Sequence, residues 1–179
     1  MTAHPPHRIE TGRLVIRCWD LRDAALLKEA IDSSLDHLRP RMPWAQKEPE
    51  DLNAKIERLR RWISEFDAGR DFFYAIFSRD ETRVIGGTGL HTRQGPGTLE
   101  IGYWIRADSI NQGFATETAE ALTRAAFEID GIRRVEIRCD IDNVPSAAIP
   151  RKLGFTLETI LKAEPMDKMV WAMTSRPST

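Results

Sequence analysis

Apolar and polar positions alternate through RLVIRCW (13–19), with Leu14, Ile16 and Cys18 on one side and Val15, Arg17 and Trp19 on the other. That period of two predicts a first strand. Asp20 follows as a helix N-cap, and Asp23 in the first turn predicts one helix through DLRDAALLKEAIDSSLDHL, 20–38. Pro40, Pro43 and Pro49 break helicity over 39–49, which reads as a loop. From Pro49 the period changes: Leu52, Ile56, Leu59, Ile63 and Phe66 recur at helical spacing. Glu57 and Arg61 are expected to pair on the wet side of that helix, and Gly69 ends it. Three strand patterns succeed one another at 71–77, 83–91 and 98–105, separated by turn-forming residues, and predict a meander. A helix over 116–129 and a strand over 133–141 come next. A helical connection makes the strands at 98–105 and 133–141 parallel neighbours through a right-handed crossover. A short helix in NVPSAAIPRKLGF and an antiparallel pair, TLETILKA with DKMVWAMT, close the chain. The tail SRPST is expected to be disordered.

Length and composition narrow the class. A chain of 179 residues is expected to form one domain with a sizeable core. A net charge of −1 argues against a dedicated nucleic-acid binder, and Arg58, Arg60 and Arg61 read as a solvated helix face. Cys18 and Cys139 lie far apart in strand-like runs, as small buried or half-buried residues; a reduced, cytoplasmic setting is expected. The start MTAHPPHRIETGR has no signal-peptide core, and no apolar run approaches a membrane span. The four histidines show no metal-ligand spacing, so no metal is expected.

One stretch carries candidate chemistry. SINQGFATETAEAL (109–122) places a glycine and a run of backbone donors just ahead of an alanine-rich helix. First-turn N–H groups lack intrahelical partners, and the helix dipole favours an anion there, so the segment suits a phosphate. The alternative is a helix start that is merely solvated. No GxxxxGK[ST] is present, which excludes a P-loop. The glycines of GGTGLHT (86–92) lead into another strand pattern and read as a bulge or close-packing site.

EIGYWIRADSINQGFATETAEAL followed by VEIRCDIDNVPSAAIPRKLGF resembles the acetyl-CoA-binding core of the GNAT superfamily of N-acetyltransferases. More narrowly, with TGRLVIRCWDLRDA and SLDHLRPRMPWA, the chain resembles the RimJ/RimL group, which acetylates protein N-termini, ribosomal proteins among them. The resemblance implies a single domain over 8–173, with 1–7 and 174–179 as flexible termini. It implies an α/β (α+β) fold: a mixed, mostly antiparallel sheet of about six to seven strands, about four flanking helices, and a splayed central parallel pair. Gly113 and Ala115 match the family loop, while Ile110 stands where Gln or Arg is usual. Phosphate contact is thereby left to the backbone of Asn111, Gln112, Gly113, Phe114, Ala115 and Thr116.

Acetyl transfer from a thioester to an amine needs a proton acceptor for the amine, a donor for the carbonyl oxygen, help for the leaving thiolate, and alignment of both substrates. By resemblance, backbone groups of Trp104, Ile105 and Arg106 would bind the pantetheine arm, with a strand N–H near Tyr103 or Trp104 facing the thioester oxygen. Asn143 would contact pantetheine and Ser146 would protonate the thiolate; both residue types are equally explained as helix caps. Pro150 should kink or shorten that helix and displace Ser146. Two glutamates compete as general base, Glu164 and Glu100, each with an ion-pair reading beside it. Trp44 reads as a wall of the acceptor pocket or as core packing. The implied reaction is acetylation of a primary amine, foremost a protein N-terminus. The alternatives are a small amine (antibiotic, amino acid or aminoacyl-nucleotide) and a silent acyl-CoA-binding module. No nucleic-acid or membrane partner is expected, and homodimers are common in the resembled group.

Overall fold

The computed structural model describes residues 4–174; the expected disorder of SRPST lies outside them. Eight strands and five α-helices alternate in the order β1 (Arg8–Glu10), β2 (Leu14–Cys18), α1 (Ala24–Asp32), α2 (Leu35–Leu38), α3 (Leu52–Asp67), β3 (Phe72–Ser78), β4 (Val84–His91), β5 (Thr98–Ile105), α4 (Phe114–Phe127), β6 (Arg134–Asp140), α5 (Val144–Lys152), β7 (Thr156–Leu161) and β8 (Lys168–Thr174). The strand order is β1-β2-β3-β4-β5-β6-β8-β7. The fold is the mixed α/β type expected, with one strand and one helix more. Strand β1 has only three residues, too few to show a period, and it is defined by antiparallel pairing with β2, Arg8↔Arg17 to Glu10↔Val15.

The chain divides into two compact units, and β4 and β5 each contribute to both. One unit holds His7–Gly89 and Tyr103–Phe114. Its core gathers Val15, Trp19, Leu27, Ile31, Leu59 and Phe77, all with 5% or less of their surface exposed, so the alternating and helical stripes converge on one apolar cluster. The predicted helix over 20–38 is interrupted. Asp20 caps a single 3₁₀ turn, Leu21–Asp23, in a reciprocal capping box with Asp23. The chain then breaks again at Ser33 and Ser34, between α1 and α2. The Ser33 hydroxyl donates back to the Ala30 carbonyl, and Ser34 Oγ accepts from the Ala107 N–H at 3.0 Å. These side chains compete with the helix for backbone partners. Helix α3 starts at Leu52 because Asp51 Oδ1 accepts from the Ala54 N–H at 2.8 Å. Two charge expectations on α3 are corrected. Glu57 pairs with Arg60, three residues on, and Arg58 is half-buried in ion pairs with Glu48 and Glu50.

The other unit holds Leu90–Gly102 and the chain from Ala115 onward, with the first residues of the protein. Here β5 and β6 run parallel, in register from Thr98↔Arg134 to Ile101↔Ile137, as the intervening α4 requires. Strand β8 pairs antiparallel with β6 and with β7, and a register shift at Leu157/Thr159 marks a bulge in β7. Leu99, Ile101, Leu122, Ala126, Val135, Ile137 and Trp171 are buried, from both strands and helix. Among the described residues, no helix is long and apolar enough to cross a membrane.

Candidate active site

The end of β5 is fixed from beneath by glycine. A Cβ on Gly86 would collide with the Trp104 carbonyl, and one on Gly87 would lie 2.5 Å from Trp104 Nε1. The glycine cluster of 86–92 is thus a close-packing site, and what it packs is Trp104. The Trp44 ring meets the Trp104 ring edge-on, with centroids 5.9 Å apart. Both rings are half-buried and pack against the apolar cluster of this unit. The proline-rich loop that carries Trp44 is a 3₁₀ turn, Pro43–Lys47. It is anchored just beyond, where Glu48, fully buried, is bound by Lys55, also fully buried, and by Arg58 at 3.0 Å. Burial alone would raise the Glu48 pKa; hydrogen bonds from Lys55 and Arg58 overcome that and hold it below the ordinary carboxylate range. Nothing in the spacing of Glu48 and Lys55 distinguishes them from surface charges, so sequence reasoning missed this anchor.

Arg106 is tied into the fold through both its backbone and its side chain. Its N–H donates to the Ile85 carbonyl at 2.9 Å and its own carbonyl accepts from the Ser109 N–H at 3.0 Å. Its buried guanidinium clasps both oxygens of Glu29 at 2.7 and 2.8 Å and pairs with Asp108 at 2.9 Å. Backbone and side chain therefore build the frame from which the next loop departs. That loop is a 3₁₀ turn, Ala107–Ser109, followed by Ile110, Asn111, Gln112 and Gly113, with α4 beginning at Phe114. Asn111 (φ 59°) and Gly113 (φ 81°) both take left-handed backbone, which brings the chain round to the helix start. Ile110 is exposed. The first-turn N–H groups of this 14-residue helix have no intrahelical acceptors, which is the arrangement that suits an anion. A side chain at Gly113 would be both strained and crowded, because its Cβ would lie 3.3 Å from Arg13 Nη2.

In the other unit, Asn143 caps α5, its Oδ1 accepting from the Ser146 N–H at 3.3 Å. The cap uses the oxygen of the amide; a pantetheine contact would use its nitrogen. Helix α5 keeps nine residues and continues through buried Pro150 to Lys152, so the proline does not end it. Burial pushes the Cys139 thiol up in pKa, and a hydrogen bond with the Ser146 hydroxyl acts against that shift.

Glu100 is buried and stands in register beside Glu136 on the parallel strands. Two adjacent carboxylates would repel, and arginines interleave them. Arg93 reaches Glu100 through Nε at 3.0 Å and Nη2 at 2.5 Å, while Arg134 and Arg138 hold Glu136 at 2.8 to 2.9 Å. Burial would raise the Glu100 pKa, but Arg93, with Gln94 and Arg138, holds it below the ordinary range. These contacts supply the partners that the ion-pair reading of Glu100 requires. Glu164 is exposed in the β7–β8 connection, which Asp167 ties down by pairing with Lys162 at 2.6 Å and accepting from the Ala163 N–H.

The predicted site residues are thus shared out. Trp44, Tyr103, Trp104, Ile105, Arg106 and the loop to Phe114 belong to one unit; Glu100, Ala115, Thr116, Asn143, Ser146 and Glu164 belong to the other.

A parallel strand pair joined by a helix, with a left-handed glycine just ahead of that helix, is the arrangement that the sequence resemblance implied. Residues 13–156 match the Acetyltransferase (GNAT) domain family, and the chain belongs to that family. It is an N-acetyltransferase, and acetyl-CoA is its acetyl donor. It is 27% identical over 155 residues to the uncharacterized N-acetyltransferase YnaD of Bacillus subtilis (strain 168), covering 86% of this chain and 85% of that one. A shorter stretch of 65 residues, 36% of each chain, is 35% identical to the ribosomal-protein-serine acetyltransferase of Escherichia coli (strain K12). Among solved structures, the microcin C7 self-immunity acetyltransferase MccE, in complex with acetyl-CoA and AMP, superposes with a TM-score of 0.86 at 21% identity, covering 97% of this chain and 99% of that one. RimL, a ribosomal L7/L12 α-N-protein acetyltransferase in complex with coenzyme A, does so with a TM-score of 0.83 at 22%, covering 93% and 97%. At these identities the structural likeness establishes the fold.

Proposed function

We propose that this N-acetyltransferase, working as one catalytic domain over 8–173, acetylates the α-amine of a protein or peptide N-terminus. The observation that carries the reading is the 35% identity with the E. coli ribosomal-protein-serine acetyltransferase. The chemistry is compatible with it. An α-amine has a pKa near 8, so roughly a tenth of it is neutral at pH 7, against fewer than about one in a thousand lysine side chains. An exposed carboxylate then suffices as proton acceptor, which suits Glu164 better than the arginine-bound Glu100. Acetyl-CoA, when bound, supplies the acetyl group as a thioester. Backbone N–H groups of the Asn111–Thr116 segment would hold its diphosphate. The backbone at Trp104 and Ile105 and the Asn143 amide would hold the pantetheine, with an N–H near Tyr103 or Trp104 directed at the thioester oxygen. The Ser146 hydroxyl is assigned to donate a proton at the sulfur, and the Trp44–Trp104 pair to wall the acceptor side.

The test is free-thiol release from acetyl-CoA with a panel of N-terminal peptides, including Ser- and Ala-initiated ones, beside small amines. Turnover confined to peptides with a free α-amine is expected. Turnover of small amines alone would replace this reading with a detoxifying one, and thermal stabilisation by acetyl-CoA without any turnover would make the chain a binding module.

A further inference from the structure

We infer that Glu48 is a positioning residue for the acceptor: held by Lys55 and Arg58, it fixes the turn that sets Trp44 against Trp104. The inference rests on the reading above that this tryptophan pair walls the acceptor side. All five residues belong to one compact unit. Every polar atom of Glu48 is engaged. Its N–H donates to the Ala45 carbonyl at 3.2 Å, and its carbonyl accepts from Arg39 Nη2 at 2.7 Å. Oε2 accepts from the Glu50 N–H at 2.8 Å, while Oε1 accepts from Lys55 Nζ and, at 3.0 Å, from Arg58 Nη1. Arg39, Ala45 and Glu50 come from the connection between α2 and α3, on both sides of Trp44, and Lys55 and Arg58 come from α3. One carboxylate group and its own backbone therefore tie the connection to itself and to the helix. Gln46 Nε2 adds a bond across the turn to the Arg39 carbonyl at 2.8 Å.

Stability alone does not account for this arrangement. Lys55 is the one buried lysine among the described residues, and neither its side chain nor that of Glu48 is exposed. Taking two charges out of water is costly, and apolar residues of similar volume often serve stability as well or better. What the ion pair adds is direction. Hydrogen bonds to a carboxylate hold at defined distances and angles, whereas an apolar contact is non-directional and leaves a turn free to slide. The ring that this geometry delivers is Trp44, edge-on to Trp104. Glu48 acts through Trp44 and is assigned no contact with substrate.

The double variant Glu48→Leu/Lys55→Met replaces both charges by apolar side chains of similar volume, so neither charge is left buried alone. On it and on the wild type, KM for a Ser-initiated peptide, KM for acetyl-CoA, kcat, Tm and the circular dichroism of the tryptophans are measured. Acceptor KM should rise about three- to tenfold, the change that one aromatic contact is worth, with kcat and the acetyl-CoA KM within about twofold. The tryptophan couplet that Trp44→Phe removes from the wild-type spectrum should weaken in the double variant. Arg39→Met loosens the Glu48 carbonyl without stranding a buried charge; it should raise acceptor KM by a smaller factor, and Arg39→Lys should restore it. If the double variant does not fold, the Arg39 pair decides. Acceptor KM within about twofold of wild type in the folded variants overturns the inference. So does an equal rise in both KM values, which marks a merely structural loss, and so does an unchanged couplet. A wild type that turns over small amines and no peptide refutes the peptide reading instead, and the same comparison is then made with that amine.

Discussion

Glu100→Gln asks whether this carboxylate is a structural anion or a proton acceptor. The side chain is 7% exposed and receives Arg93 Nε at 3.0 Å, Arg93 Nη2 at 2.5 Å and Gln94 Nε2 at 2.5 Å. Glutamine keeps the shape and one acceptor oxygen but turns an NH₂ toward donors, so at least one charge-assisted bond is lost, about 1.5–3 kcal/mol. Two effects reduce the loss. Arg93 is 57% exposed and can turn to water, and the variant no longer buries an anion. The net cost is about 1–2 kcal/mol, or about 2–8 °C in Tm for a chain of this size. The pH dependence has a definite sign. Burial raises the Glu100 pKa, Arg93 more than reverses this, and the folded value lies below the unfolded one. Its contribution is therefore present above the unfolded carboxyl pKa, near 4.3, and is lost as pH falls through the folded value. The Tm gap between wild type and Glu100→Gln should be widest near neutrality and close below about pH 4. The assay pairs thermal melts from pH 3 to 8 with kcat for a working peptide acceptor. Glu164→Gln is the counterpart: kcat should fall by about 10²–10⁴ at neutral pH, recover partly at higher pH, and leave Tm unmoved. A full loss of kcat in Glu100→Gln with normal Tm, beside a near-normal Glu164→Gln, would refute the argument.

Other perturbations follow from the same contacts. Gly87→Ala sets a Cβ 2.5 Å from Trp104 Nε1 and should cost about 1–3 kcal/mol while altering tryptophan emission; an unchanged urea midpoint and spectrum would show that Trp104 is not packed on this glycine. Lys55→Met strips a buried partner from Glu48 and should destabilise by about 3–5 kcal/mol, with much of that recovered when Glu48→Gln is added; urea titrations that give additive losses would contradict the pairing. Ser146→Ala leaves the backbone N–H that Asn143 caps, so Tm and acetyl-CoA affinity should hold while kcat drops. An unchanged kcat with chemistry rate-limiting would return Ser146 to a capping role.

Much of this molecule is written in short-range pattern. Strand β2, the β3–β4–β5 meander, the stripe of α3 and the β7–β8 pair each follow from the period of apolar residues within a dozen positions, because side-chain direction alone decides which residues share a face. The caps at Asp20 and Asn143, and the turn at Gly113, are legible for the same reason: each is one side chain, or its absence, acting on backbone a few residues away. The helical connection between β5 and β6 likewise dictated their parallel pairing. Tertiary structure decided the rest. The break at Ser33 and Ser34 is settled where those hydroxyls meet Arg106 and Ala107. Glu48 and Lys55 are ordinary charges in the sequence and fully buried partners in the fold. Glu100 became an ion-pair anion because Arg93, Gln94 and Arg138 converge on it, and Arg13 reaches the Gln112 carbonyl from 99 positions away in the sequence. Charge is long-ranged and takes its value from burial and neighbours, so only the folded chain determines which carboxylate is bound, which is exposed, and which cation stands at the helix start.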